Sequence, residues 1–355
     1  MENYNGNICR EHLFSVISVY FSKPILPFLG TLTLLNILPA FLYGCSVPEP
    51  LPQHFQEKTV NICLAGTSVD IKELDIFVFD DDRMQRLDCY QKITDPLSWN
   101  EEVVSGNGDR LIAVCANSRK SIQDWSFLSS LAALKEIRMQ LEDDSIESPF
   151  MSGIMSVPSG ESGRQAVMNI RPLYCSVELR SLCCDFSDKP YAGEKMTDVK
   201  VYLTNVNGEC GIFDTNDILP SRIINAGRLC EEDMDMLPAP SMLMREIPGE
   251  VGRNIIYPDI NLICYPNNSN AESPGTPFTR LVIEGKISGS KYYWPININR
   301  EDSGGGVCRN ERYIYNVRIT RKGSTDPDIP VKTEDMDIRL TIEKWTEKED
   351  YPIIF

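Results

Sequence analysis

Short stretches with a side-chain period of two, each ended by turn residues, recur from Thr59 onward, and this pattern confines the chain to packed β-sheets. Residues 72–80, KELDIFVFD, set Leu74, Ile76 and Val78 on one face and Phe77 and Phe79 on the other. A strand with two apolar faces must be covered on both sides. Residues 59–66 alternate more weakly, 111–117 (LIAVCAN) read as a buried strand, and 165–179 as further strands. Six more follow at 199–205, 255–265, 278–286, 292–298, 313–320 and 338–345, separated by turn residues at 266–268 (PNN), 304–306 (GGG) and 326–328 (DPD). Strands of this length and spacing indicate antiparallel sandwiches, a mostly β fold class. One helix is predicted. From Ser121, the residues Trp125, Leu128, Leu131, Leu134, Ile137 and Leu141 recur at helical spacing and form a stripe that packs on a sheet.

The 355 residues suffice for two ordinary domains. A polar stretch at 185–195, DFSDKPYAGEK, separates an N-terminal domain, 59–184, from a C-terminal domain, 195–355. Ahead of both lies an apolar run, residues 24–45, which stops at a cysteine. Arg10 and Lys23 precede the run, and Leu42-Tyr43-Gly44-Cys45 has the order of a bacterial lipobox. Residues 1–44 are thus expected to be an export signal cut after Gly44, with Cys45 carrying the lipid. The run is long enough to span a bilayer, at about 20 residues. Pro24, Pro27 and Pro39 oppose a stable spanning helix, because each removes a backbone donor and clashes with the preceding turn. Residues 45–58, proline-rich and polar, form a tether.

A net charge of −16 repels phosphate backbones, so no nucleic-acid partner is expected. The 2 histidines are His12, in the leader, and His54, in the tether, so the body holds no imidazole for a Ser-His-Asp or Cys-His site or for a His-ligated zinc. Of 12 cysteines, Cys9 and Cys45 precede the body; the rest are irregularly spaced and form no CxxC. Several lie inside apolar strand patterns, where a reduced cysteine acts as a small hydrophobe, and the disulfide pattern is left open. The acidic runs Asp80-Asp81-Asp82 and Glu231-Glu232-Asp233 read as a solvated turn and a solvated loop. The glycine run lacks the following GK[ST] of a phosphate loop. No enzyme activity, metal or cofactor is expected.

The lipobox, the strand KELDIFVFD, LIAVCAN before a helix, the turn PFMSG at 149–153, and RNERYIYNVRITRKGSTDPD closing on IEKW at 342–345 together resemble the fimbrillins, the FimA/Mfa-like lipoprotein subunits of type V fimbriae. The resemblance implies two tandem transthyretin-like β-sandwiches, with one helix in the first. It also implies assembly by strand addition, in which proteolysis after arginine removes the first strand and a neighbour's C-terminal strand fills the slot. Residues 59–66 would be the removable strand, and Ile338, Leu340, Ile342 and Trp345, with the tail 351–355, the donor. No arginine lies between Cys45 and Leu74, so either a different protease acts or the subunit keeps its lipid, which would make it an anchor or accessory. The expected function is a structural or adhesive fimbrial subunit at the outer membrane, surface-exposed. Its expected partners are other fimbrial subunits, the membrane through the lipid, and host or bacterial surface ligands. The alternative is a surface glycan-binding lipoprotein, with Tyr292, Tyr293 and Trp294 as its aromatic platform.

Overall fold

The computed structural model describes residues 58–64, 71–94, 103–105, 108–119, 124–158, 165–213, 218–300, 305–331 and 336–344. Residues 55–355 make one compact unit. Its first half carries β1 (Lys58–Leu64), β2 (Leu74–Asp80), β3 (Leu87–Ile93), β4 (Val103–Ser105), β5 (Arg110–Ala116), α1 (Leu131–Lys135), β6 (Arg138–Gln140), β7 (Met151–Val157), β8 (Gln165–Met168) and β9 (Arg171–Pro172). Its second half carries β10 (Cys175–Cys184), β11 (Thr197–Thr204), β12 (Val206–Asn207), β13 (Glu209–Gly211), β14 (Ile223–Ile224), α2 (Glu231–Asp235), β15 (Met244–Ile247), β16 (Ile260–Cys264), β17 (Arg280–Ile287), β18 (Ser290–Asn297), β19 (Glu311–Ile319) and β20 (Met336–Lys344).

The first half stacks a five-stranded sheet, β3-β2-β5-β7-β9, and a three-stranded sheet, β4-β1-β8. The second half has two four-stranded sheets, β16-β10-β19-β20 and β15-β11-β17-β18. The fold is therefore the expected mostly β, sandwich-type architecture. Most pairings are antiparallel; β1 with β8 and β10 with β19 are parallel.

The two-faced pattern of β2 has the predicted consequence. Leu74, Ile76 and Val78 join Ile112 and Val114 of β5 and Met168 of β8 in one apolar cluster. Phe77 and Phe79 join Leu131 and Leu134 of α1 in another, which runs on into the second half. Phe77 meets Trp125 edge-on, with ring centroids 4.8 Å apart. Each of these side chains contributes about 1.5–3 kcal/mol by leaving water.

The turns follow from local chemistry. Asp82 accepts from the backbone N–H groups of Met84 and Gln85 at 2.9 and 2.8 Å, so the acidic run is the β2–β3 hairpin turn. Asn117, which ends LIAVCAN, is buried in the left-handed region at φ 57°, where asparagine is the most tolerant residue after glycine. Its side chain accepts from Lys72 N at 2.8 Å and donates to Pro149 O at 2.9 Å, tying three segments together. Ser288 and Gly289, both at positive φ, form the two-residue turn of the β17–β18 hairpin.

Among the described residues, the helix expected from Ser121 to Leu141 is confined to Leu131–Lys135, with Ser130 Oγ accepting from Ala133 N at 3.3 Å as its cap. Residues 138–140 leave the helical path because their backbone groups are taken by a ladder with β13, Arg138 opposite Gly211 and Gln140 opposite Glu209. The second half therefore supplies the partner that converts a helical pattern into strand. The chain also changes sheet earlier than the polar stretch suggests. β10 pairs with β16 and β19, so the crossover falls at Leu173–Tyr174, ahead of 185–195.

Candidate functional site

The two strands to which the family resemblance assigns a part in assembly are β1 and β20, the first and last among the described residues. β1 lies between β4 and β8, but each neighbour holds only part of it. Lys58–Val60 pair antiparallel with Val103–Ser105, while Asn61–Leu64 pair parallel with Gln165–Met168. An inner strand held on one side at a time has fewer backbone bonds to break on leaving than one paired on both sides along its full length. Taking it away would expose the edges of both β4 and β8 beside the apolar cluster to which Met168 belongs.

β20 is held along its whole length. It forms the outer edge of its sheet and pairs with β19 from Met336 opposite Ile319 to Lys344 opposite Glu311. Ile338 and Leu340 are half-buried against the core, while Ile342, further along, is 45% exposed. These three predicted donor residues thus share one edge strand seated on its own sandwich. Trp345, Cys45 and Gly44 lie outside the described residues.

The aromatic trio of β18 does not make a platform. Trp294 is wholly buried, its Nε1 donating to Arg321 O at 3.1 Å. Tyr292 lies half-buried under Lys322, whose Nζ is 5.5 Å from the ring centroid, and Tyr293 has Lys291 Nζ at 5.9 Å. A surface hollow over β15, β11 and β17 is lined by Lys200, Lys286 and Lys291, each already paired with an acid: Glu246 at 3.2 Å, Asp198 at 2.8 Å and Glu284 at 2.7 Å. It has no net preference for either sign of charge.

Glu231–Asp235 is a short helix rather than a loop. Asp233 accepts from Asn225 N at 2.7 Å, which fixes that acid in the fold. Among the described residues no three His, Cys, Asp or Glu side chains are grouped to hold a metal ion. Among them also, no helix is long and apolar enough to cross a membrane.

Two buried groups with displaced titration belong to packing. Burial lifts the Asp144 carboxyl to about 6, against hydrogen bonds from Phe150 N, Ser145 N and Tyr265 Oη. Burial likewise pushes the Cys115 thiol well up. Asp144 sits where the two halves meet, accepting from Phe150 N at 2.9 Å and from Tyr265 Oη at 3.1 Å. Arg309 serves the same junction. Its guanidinium donates to the carbonyls of Arg171 (2.7 Å), Pro172 (3.0 Å), Ile212 (3.3 Å) and Ser152 (3.3 Å) and to Ser152 Oγ (2.9 Å). Period and composition give no signal for this role, because an arginine ahead of a strand reads as solvated until its acceptors are brought together.

Two sandwich-type halves joined by the β6–β13 ladder and the hydrogen bonds of Arg309 define the class of fold. No family model matches the sequence, and no curated protein matches it. Solved structures do match in fold. A fimbrilin, FimA, from Porphyromonas gingivalis W83 superposes with a TM-score of 0.57 at 14% identity, covering 81% of this chain and 97% of that one. A cell adhesion candidate from Bacteroides eggerthii DSM 20697 gives 0.60 at 14% identity, covering 81% and 96%. Another from Parabacteroides distasonis ATCC 8503 gives 0.58 at 14% identity, covering 83% and 98%. The chain shares the fold of these fimbrilin and adhesion proteins.

Proposed function

We propose that this chain is a non-catalytic structural or adhesive subunit of a cell-surface fimbria, tethered to the outer membrane through a lipid on Cys45. The observation that carries the reading is the setting of β1. It is the first strand after the tether, lies inside a sheet, and is held by two short ladders on opposite sides. A slot of that kind suits strand addition from a neighbouring subunit, because an incoming peptide satisfies both exposed edges and the apolar cluster beneath. The likeness in fold to a fimbrilin supports the same reading.

Donation from this chain runs through the end of β20 at Ile342, then Trp345 and the tail to Phe355. Ile338 and Leu340 already serve their own core. The lack of arginine between Cys45 and Leu74 favours a subunit that keeps β1 and its lipid, an anchor or accessory at the base of the fibre. The N-terminal residue of the protein recovered from cells tests this. A blocked, acylated Cys45 supports the anchor role. An N-terminus beyond Leu64 makes it a polymerising unit, and a chain found unlipidated in the cytoplasm overturns the proposal.

A further inference from the structure

We propose that Cys175 and Cys264 are joined by a disulfide in the exported protein, a cross-link that rests on the export reading above. Cys175 opens β10 and Cys264 closes β16, and the two stand directly opposite each other in the antiparallel ladder. Their Sγ atoms are 3.6 Å apart. Residues directly opposite in an antiparallel pair have Cα atoms about 4.5–5.5 Å apart, inside the roughly 4.4–6.8 Å range that a disulfide bridges. A pair at that spacing can close the bond by side-chain rotation, without rebuilding either strand. Among the described residues no other two cysteines face each other in a ladder.

The chemistry is a two-electron exchange. The two thiols lose two protons and two electrons and form one S–S bond. The disulfide of the oxidant, an exported dithiol oxidoreductase or oxidised glutathione, accepts them and leaves as two thiols by way of a mixed disulfide. Attack requires a thiolate within reach of the oxidant. In the folded protein both cysteines are buried, at 1% and 0% exposure, and burial holds the Cys175 thiol well above its ordinary range. The bond must therefore form while β16 is still closing on β10, and folding then seals it. β16 is the outer strand of its sheet, so the cross-link pins that edge to the strand on which the chain enters the second half.

The test uses the full chain, produced with its own leader in a Gram-negative host. Cells are quenched in acid, the protein is denatured and alkylated, and cysteine peptides are mapped by mass spectrometry beside a membrane fractionation. The expected product in the envelope fraction is the Cys175 peptide linked to the Cys264 peptide, lighter by two hydrogens than the reduced pair. It should resist reductant in the native protein and yield once denaturant is added, and Cys264→Ala should leave Cys175 fully alkylated. Envelope protein with both cysteines alkylated overturns the cross-link and leaves the fimbrial reading intact. So does Cys175 linked to Cys210 or Cys308, the other cysteines near it. If the chain remains in the cytoplasm, the export reading fails instead. Refolding the purified, reduced chain with oxidised glutathione then decides the cross-link: the Cys175–Cys264 peptide supports it, and two free thiols refute it.

Discussion

Asp144→Asn isolates the contribution of one buried carboxylate at the junction of the two halves. Asp144 is 3% exposed, and its carboxyl is lifted from 3.8 to about 6. Burial is the first cause; the hydrogen bonds from Phe150, Ser145 and Tyr265 and the charge of Arg119 pull the other way and lose. In the unfolded chain the group titrates near its ordinary value, so between about pH 4 and 6 the folded protein holds a proton that the unfolded chain has released. Stability from this group is therefore greatest below pH 4 and falls as pH rises to 6. A displacement of about two units corresponds to about 3 kcal/mol over that window. Asparagine retains Oδ1 for the backbone of Ser145 and Phe150. Its amide can donate to Tyr265 Oη, which remains free to donate to Gln140 O at 3.3 Å. The assay is urea unfolding of both proteins at pH 4, 5, 6 and 7. Carboxylates common to both cancel in the difference, which should change by about 2 kcal/mol in favour of the variant as pH rises from 4 to 7, since part of the effect is already lost at pH 4. A difference flat in pH would show that Asp144 is not desolvated. One of opposite slope would show that its hydrogen bonds outweigh burial.

Arg309→Met keeps the aliphatic stem and deletes the clamp on Arg171, Pro172, Ile212 and Ser152. With hydrogen bonds to a charged group contributing about 1.5–3 kcal/mol each and not adding in full, a loss of about 3 kcal/mol is expected, read from the urea midpoint; an unchanged midpoint refutes the clamp. Gly153→Ala would drive a Cβ into the backbone oxygen of Asn169, so β7 or the segment before β9 must shift, at about 1–3 kcal/mol; a wild-type melting temperature would contradict the packing. Cys45→Ala should release the protein from membranes and abolish palmitate labelling, and continued labelling would place the lipid elsewhere. Deleting the residues after Thr346 should keep a cooperative thermal transition, since β20 ends at Lys344, while abolishing co-purification with other fimbrial subunits; normal assembly would exclude the tail as donor.

The sequence by itself determined the local periods. KELDIFVFD had to be a strand covered on both faces, and it is β2 between two apolar clusters, because alternation is a property of the backbone that survives any choice of partner. LIAVCAN ended at Asn117 for a similarly local reason, the tolerance of asparagine for left-handed backbone. Pairing is not local, and tertiary structure alone decided it. The stripe from Trp125 to Leu141 satisfies a helical period, yet residues 138–140 became strand because β13 offered backbone groups there. β10 read as the close of the strands before 185–195, and it lies in one sheet with strands that follow, β16 and β19, which flank it. Arg309, Asp144 and Tyr265 acquired their roles only when segments more than a hundred residues apart converged, as Arg309 and Ser152 do across 157 positions. A carboxylate or guanidinium is solvated in any isolated segment. Only the completed fold removes the water and supplies the partners, so this junction had no signature in the order of residues.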